Sequence, residues 1–464
     1  MTEVTRHEVQ YDVNEMPPWR EAIPLGLQHV LVMVASNITI PIIIAGVVGA
    51  TTGQTAFLVQ VALLVAGLTT LLQTIGIGPI GARLPVVQGT SFGFLVIAIP
   101  LASEYGLSAV FGGAIVAGVV QVLLGFSLRW LRRLFPPLVS GIVVLVIGVG
   151  LLPAGANLAG GGVGAEDFGS WTNLGLAGLV LVAILIAFSF GRRLISMAAI
   201  LVGLVVGYVA ALAIGAVDVG QIADAGWFSF PRPLEFGLSF PAAAIIGMSV
   251  MAIATSVETI GDLAAITKGG AGREVTDREL SGGVIADGVG TAFASLFSAM
   301  PNTSYSQNVG VVAFTGVMSR HVVSVGAGFL ILAGFLPKLA AVIAAMPSAV
   351  LGGAAIAMFA MVAAAGLKLI AESKLGRRDM LIIAVALGVG QAMAAVPALV
   401  AVFPDQLRVL LETGIVPAGV LAVALNVLLP DKDPVPVAAE TGGHPDLGAS
   451  TEGGTAPGAT GGSD

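Results

Sequence analysis

The 464-residue sequence contains no cysteine, which removes disulfides and thiolate metal sites from consideration. Four histidines leave little for a metal cluster. Charge is also scarce: 10% of residues are charged and 56% hydrophobic, with a mean hydropathy of +0.98. No water-soluble domain of this size tolerates such a surface, so the composition indicates a polytopic membrane protein. The first twenty residues lack a short apolar core followed by a small-residue cleavage site, so no removed signal peptide is expected. The Gly-rich loop at 269 to 273 lacks the GxxxxGK pattern followed by Ser or Thr, and no His-Glu metal pattern or nucleophile-base pair stands out. Neither ATP-driven pumping nor enzymatic chemistry is expected, and no cofactor is implied. Beyond Pro430 the chain is rich in Gly, Pro, Ser and Thr without apolar periodicity, which reads as a disordered tail over 431–464.

What is present is a series of apolar runs punctuated by Gly, Pro or charge. Fourteen candidate spans begin near residues 22, 54, 86, 107, 137, 171, 194, 241, 281, 307, 321, 343, 379 and 411. With the N-terminus inside, 17 of the 20 Lys and Arg fall on the cytoplasmic side: Arg6, Arg20, Arg83, Arg129, Arg132, Arg133, Arg192, Arg193, Lys268, Arg273, Arg278, Arg320, Lys368, Lys374, Arg377, Arg378 and Lys432. Arg232, Lys338 and Arg408 fall outside. That bias sets both termini in the cytoplasm of an inner-membrane protein.

The two halves of the chain resemble each other weakly but in order. "PPLVSG" (Pro136 to Gly141) matches "PSAVLG" (Pro347 to Gly352) at an offset of 211, and Pro85 before "VVQGTSF" matches Pro301 before "NTSYSQN" at an offset of 216. Each copy holds seven spans, an odd number, so the second copy enters the membrane from the opposite side. Inverted repeats of this kind place a substrate site near the midplane, where discontinuous helices meet. The third and tenth spans open with polar or β-branched residues and are too short to cross as helices. The expected fold is therefore all-α and polytopic, a 7+7 inverted repeat in which these two segments are each a short β-strand plus a half-helix. The strands are expected at about 86 to 89 and 303 to 306, with half-helix N-termini near Ser91 and Asn308 aimed at a ligand. Gly89 and Gly310 are expected to let the ligand approach the backbone.

Intramembrane ionisable residues are the sharpest functional signal, because a charge at the bilayer centre costs roughly 2.5 to 3.5 kcal/mol even on the lenient insertion scale. Glu258 stands in "MAIATSVETIGDLAAIT", with Asp262 one turn later on the same face and no basic residue in the span. Burial penalises its charged form, which makes Glu258 a candidate proton-binding or ligand-binding group. Asp287, flanked by small residues, is either a helix-helix hydrogen-bond acceptor or part of a proton relay. The amide of Gln307 both donates and accepts, which suits a heterocycle edge, whereas Asn308 equally fits a cap on its own half-helix. Thr315 reads as a back-bonding hydroxyl or a ligand contact. Gln28 and His29 are either packing residues or a polar link from the first span to the site, and Asn37, ahead of Pro41, satisfies backbone groups at a kink. Phe92 and Tyr305 flank the breaks, where they pack or stack on a flat ring. His321 is expected at the cytoplasmic boundary; His7 and His444 belong to the tails.

These motifs resemble the nucleobase-ascorbate transporters, also called the nucleobase cation symporter-2 family. "QNVGVVAFTG" (Gln307 to Gly316) is similar to the family signature at every fixed position. The pair Gln28, His29 resembles its first-helix motif, "VQGTSF" its third-helix break, and "SVETIGD" its eighth-helix motif; the resemblance spans about 22 to 430. It implies a xanthine or uric acid permease of fourteen helices, divided into a core domain (22–135 and 240–338) and a gate domain (136–239 and 339–430), between an N-terminal cytoplasmic segment (1–21) and the tail, usually as a homodimer in contact with membrane lipids. It also implies that Glu258 and Gln307 bind the base directly, that backbone near Phe92 and Ser306 adds hydrogen bonds, and that Asp287, Asp262, Asn308, His29, Gln28 and Thr315 support the site or proton coupling. Uracil-type members tend to carry Glu at the position of Gln307, so Gln307 points to an oxidised purine taken up by proton symport through an elevator-like movement of core against gate. A uracil or other nucleobase permease of the same family and an anion carrier of the related 14-span fold are the alternatives within transport. An intramembrane enzyme or sensor is the alternative outside it.

Overall fold

The computed structural model of the protein describes residues 10–128, 136–192, 194–373 and 375–430. The expected tail, and with it Arg6, Arg129, Arg132, Arg133, Arg193, Lys374 and Lys432 of the charge count, lie outside the described residues. Among the described residues the regular structure is helical, apart from two three-residue strands. In chain order the principal elements are α1 (Trp19–Val47), α2 (Thr52–Ile75), β1 (Gln88–Thr90), α3 (Phe92–Tyr105), α4 (Leu107–Phe126), α5 (Pro137–Ala159), α6 (Trp171–Phe190), α7 (Ala199–Ala213), α8 (Ala242–Ala271) and α9 (Asp277–Leu296). They continue with β2 (Asn302–Ser304), α10 (Ser306–Thr315), α11 (Arg320–Gly334), α12 (Ser348–Ala371), α13 (Arg377–Ala395) and α14 (Ile415–Leu428).

Among the described residues, eight helices are long and apolar enough to cross a membrane, or ten if each of two bent helix pairs counts as one span. The bends are 82° after α11, before the short helix Pro337–Ala344, and 80° before α14, after Asp405–Glu412. Gly414, at φ +70, makes the second break. The span expected from 343 instead starts at Ser348, because Pro347 supplies its N-cap. α3 and α7 are shorter apolar helices.

Packing divides the helices by neighbour. α4 lies against α8 and α9, α11 against α1 and α2, and β1 against α2. Separately, α5 packs on α12 and α14, α6 on α7 and α12, and α13 on α14. The two sets touch where α3 meets α5 and where α1 meets α7 and α12. Close approach at these seams is possible because small residues line them. A Cβ added at Gly118 of α4 would lie 2.5 Å from the Gly288 carbonyl oxygen of α9, so backbone meets backbone beside Asp287.

The strands form where Pro85 and Pro301 interrupt the apolar pattern and β-branched or hydroxyl residues follow. β1 and β2 pair antiparallel, with Gln88 opposite Ser304, Gly89 opposite Thr303 and Thr90 opposite Asn302. This is the relation two copies adopt when they enter the membrane from opposite sides. The strands sit one or two residues from the expected 86 to 89 and 303 to 306. The second half-helix also begins earlier than Asn308: Tyr305 is its extended N-cap (φ −101, ψ 112), and Gln307 and Asn308 lie in its first turn.

Candidate functional site

Backbone groups in a three-residue sheet must find partners outside it, since unpaired N–H and C=O groups are costly inside a membrane protein. Pro41 in α1 has no N–H to give to the carbonyl of Asn37, four residues earlier. That freed carbonyl accepts from the Thr90 hydroxyl at 2.9 Å, while the Asn37 side chain accepts the Thr90 N–H at 2.8 Å and donates to the Ala62 carbonyl at 3.2 Å. Pro41 of the first span, by freeing the Asn37 carbonyl, thus helps anchor β1. Thr291 of α9 does the same for β2, donating to the Asn302 carbonyl at 3.1 Å and accepting its N–H at 3.2 Å.

Between the strands lies a buried polar knot. The Gln88 amide donates to Asp287 at 2.7 Å and to the Ser304 hydroxyl at 2.9 Å, and its oxygen accepts from the Asn302 amide. Asp287 also accepts from the Thr259 hydroxyl of α8 and, at 3.4 Å, from Ser304. Asn302 in turn accepts from Thr69 of α2 at 3.1 Å. One carboxylate on α9 therefore ties both strands to α8, with donors from Gln88, Ser304 and Thr259. Charge-assisted bonds of this type are the strong ones in a low-dielectric setting.

Next to this knot, α8 carries Glu258 and Asp262, each within electrostatic reach of Asp287. Asp262 is 8% exposed and has one oxygen, Oδ2, that is buried without a partner. Glu258 is only partly buried. On α10, which packs against α8 and α1, Gln307 is also partly buried, while Ser306, Gly310 and Phe314 form an exposed face. A Cβ built at Gly310 meets open space, so the backbone is approachable there, as expected. Gly89 differs: its Cβ would lie 2.6 Å from the Tyr305 ring and 2.7 Å from Asn37, so it admits neighbouring protein and not a ligand.

The remaining candidates fall into separate places. The His29 ring meets the Asn308 side-chain oxygen at 3.1 Å, and the Asn308 amide reaches the Pro85 carbonyl at 3.5 Å, so these two residues link α1, α10 and the approach to β1. Gln28 instead contacts Met197 sulfur at 3.8 Å. Thr315 bonds back to the Val311 carbonyl at 2.8 Å within its own helix. Tyr305 is buried and donates to the Thr90 carbonyl at 2.8 Å, closing the strand crossing. Phe92 meets Phe359 of α12 edge to face, with ring centroids 5.6 Å apart. Neither half-helix N-terminus is capped by its own N-cap side chain, and the buried Ser91 hydroxyl has no partner. Among the described residues no Lys or Arg forms an ion pair with Glu258, Asp262 or Asp287.

Sequence reasoning did not single out Gln88, Thr259, Asn302 or Ser304. A signal existed for one pair: Gln88 and Ser304 are separated by 216, the same offset as Pro85 and Pro301, and equivalent positions of two crossed copies meet at the axis between them.

The sequence profile of the Permease family matches residues 20–399. The xanthine permease of Bacillus subtilis is 38% identical over 413 residues, covering 88% of this chain and 93% of that protein. The uric acid transporter UacT of Escherichia coli is 36% identical over 411 residues, covering 87% and 85%. The transmembrane domain of the cyanobacterial bicarbonate transporter BicA shares the fold at a TM-score of 0.54 and 15% identity, covering 88% of this chain and 97% of that one. An integral membrane chain that matches the family profile over most of its length, with its signature residues set on the crossed breaks, belongs to the xanthine and uric acid permease family, the nucleobase-ascorbate transporters.

Proposed function

We propose that the protein imports an oxidised purine, xanthine or uric acid, across the cytoplasmic membrane by proton symport. The observation that carries this reading is the joining of both broken spans through Asp287 and Gln88, with Glu258 and Gln307 on the packed, partly open helices alongside. A flat oxidised purine offers ring N–H donors next to carbonyl acceptors. The carboxylate of Glu258 accepts from such N–H groups, and the Gln307 amide complements an adjacent N–H and C=O. The uncapped first turns of α3 and α10, at Phe92 and Ser306, supply further N–H donors to purine carbonyls. The names of the curated relatives, a xanthine permease and a uric acid transporter, support the same substrate class.

In this reading Asp287 is the tie between the strands, supported by donors from three elements. The coupling proton resides on Glu258, with Asp262 one turn below it. His29 orients Asn308, and so the first turn of α10. The core, α1 to α4 with α8 to α11, moves against the gate, α5 to α7 with α12 to α14, a division supported by the two sets of packing partners. Both termini face the cytoplasm, and the functional unit is a homodimer.

The deciding experiment is uptake of labelled xanthine into proteoliposomes under an imposed proton gradient, with urate, uracil and ascorbate as competitors and an ionophore control. Accumulation that urate competes for and the ionophore abolishes is expected. Chloride or sulfate flux without purine uptake would instead favour an anion carrier, and chemical change of the ligand an enzyme.

A further inference from the structure

We propose that residues 10–15 are a positioning element for α10, a strap that fixes the cytoplasmic end of the half-helix whose first turn holds Gln307 and Asn308. This rests on α10 carrying the substrate contact. The half-helix is only ten residues long and ends at Gly316, whose φ of +71 turns the chain sharply toward α11. The turn exposes backbone groups that no helix satisfies. The strap satisfies them in order: Gln10 N–H donates to the Gly316 carbonyl at 3.0 Å, Met318 N–H to the Tyr11 carbonyl at 3.0 Å, and Arg320 N–H to the Val13 carbonyl at 3.1 Å. Tyr11 and Val317 are paired as a parallel bridge. The Ser319 hydroxyl, which caps α11, donates to the Glu15 carbonyl at 2.5 Å. Tyr11 hydroxyl bonds Glu21 at the start of α1, so the strap is held at both ends.

The strap also reaches the site through packing. Met318, Val312, Leu263 and Ile266 form one buried apolar cluster, and Val13, Val309 and Ile260 pack against it. Val309 follows Asn308 directly, and Ile260 lies between Glu258 and Asp262. A single cluster therefore touches the strap at one end and both ligand-bearing turns at the other. Close-packed clusters transmit displacement instead of absorbing it. Met318 is fully buried and packs directly on Gly270 of α8, where an added Cβ would lie 2.3 Å from its sulfur. Loosening the strap should thus shift the first turn of α10 and weaken substrate binding, with little effect on the movement of core against gate.

The test uses the full-length protein in proteoliposomes. Gln10→Pro removes the N–H given to Gly316 and Val13→Ala thins the apolar contact; Gln10→Ala with Val13→Ile keeps both and is the matched control. In the disrupting pair, amide exchange is expected to accelerate over 316 to 320 and over the first turn of α10. KM for xanthine is expected to rise roughly fivefold, the lower end of coupling between linked sites, with Vmax unchanged. The control pair should match wild type in both. Unchanged exchange, or faster exchange with an unaltered KM, overturns the proposal. If the wild type takes up no xanthine, the substrate reading fails and exchange alone decides the strap: acceleration reaching Ser306 to Gly310 supports it, and acceleration confined to 316 to 320 overturns it.

Discussion

Asp287 accepts hydrogen bonds from both strands and from α8. It accepts from Gln88, Ser304 and Thr259, and an amide in its place would turn an NH2 group toward at least one of these donors. Hydrogen bonds to charged groups contribute about 1.5 to 3 kcal/mol, so Asp287→Asn and Gln88→Ala are each expected to reduce xanthine uptake by roughly ten- to a hundredfold at equal membrane abundance. Uptake at wild-type rate in Asp287→Asn would contradict the tie. Glu258 is a different case because it is only partly buried and no side chain is hydrogen-bonded to it among the described residues. Glu258→Gln is expected to remove the pH dependence of accumulation, measured as the ratio of uptake at acidic and neutral external pH; a wild-type ratio would place the coupling proton elsewhere. Gln307→Glu replaces a group that donates and accepts with one that only accepts when ionised, and is expected to shift competition toward pyrimidines.

Elements hold these residues at fixed offsets. α9 presents Asp287 ten residues beyond its start, where Thr276 and Glu279 form a capping box and Arg273 pairs with Glu279 at 2.5 Å. Thr276→Ala is expected to cost about 1 kcal/mol, read as a lowered midpoint of thermal unfolding with substrate affinity retained. The α4–α9 seam is less forgiving. Gly118→Leu would insert a side chain where even a Cβ lies 2.5 Å from a carbonyl oxygen, and overpacking of this kind typically costs about 1 to 3 kcal/mol. Because Gly288 adjoins Asp287, this variant is expected to lose transport as well as stability.

At the scale of the molecule, the proposed transport step is relative motion of two packed sets of helices. Gln28 of α1 contacts Met197 of the short helix Leu194–Met197 across their boundary, and both residues are partly exposed. The chain has no cysteine of its own, so a Gln28→Cys, Met197→Cys pair gives a clean background for cross-linking. A short thiol-reactive linker is expected to abolish uptake, and cleavage of the linker to restore it. Undiminished uptake by fully cross-linked protein would exclude sliding at this boundary.

The sequence by itself determined the environment and the breaks. Apolar runs identify spans regardless of neighbours, and Pro85 and Pro301, each followed by polar or β-branched residues, mark where two of those runs are too short to cross as helices. It also placed Glu258 and Asp262 on one face, since that follows from helical period alone. Only the tertiary structure decided which polar residue is spent on the fold and which stays on an accessible face. Gln88 and Gln307 are the same side chain beside equivalent breaks, yet one is consumed by Asp287, Ser304 and Asn302 while the other lies on a partly open face. Gly89 and Gly310 divide in the same way, one against Tyr305 and the other against open space. Likewise, the N-terminal segment carries no apolar periodicity, and its role became visible only through backbone bonds to residues some 300 positions away. Local pattern specifies what a residue can bond, and the crossing of distant segments sets what remains for it to bond with.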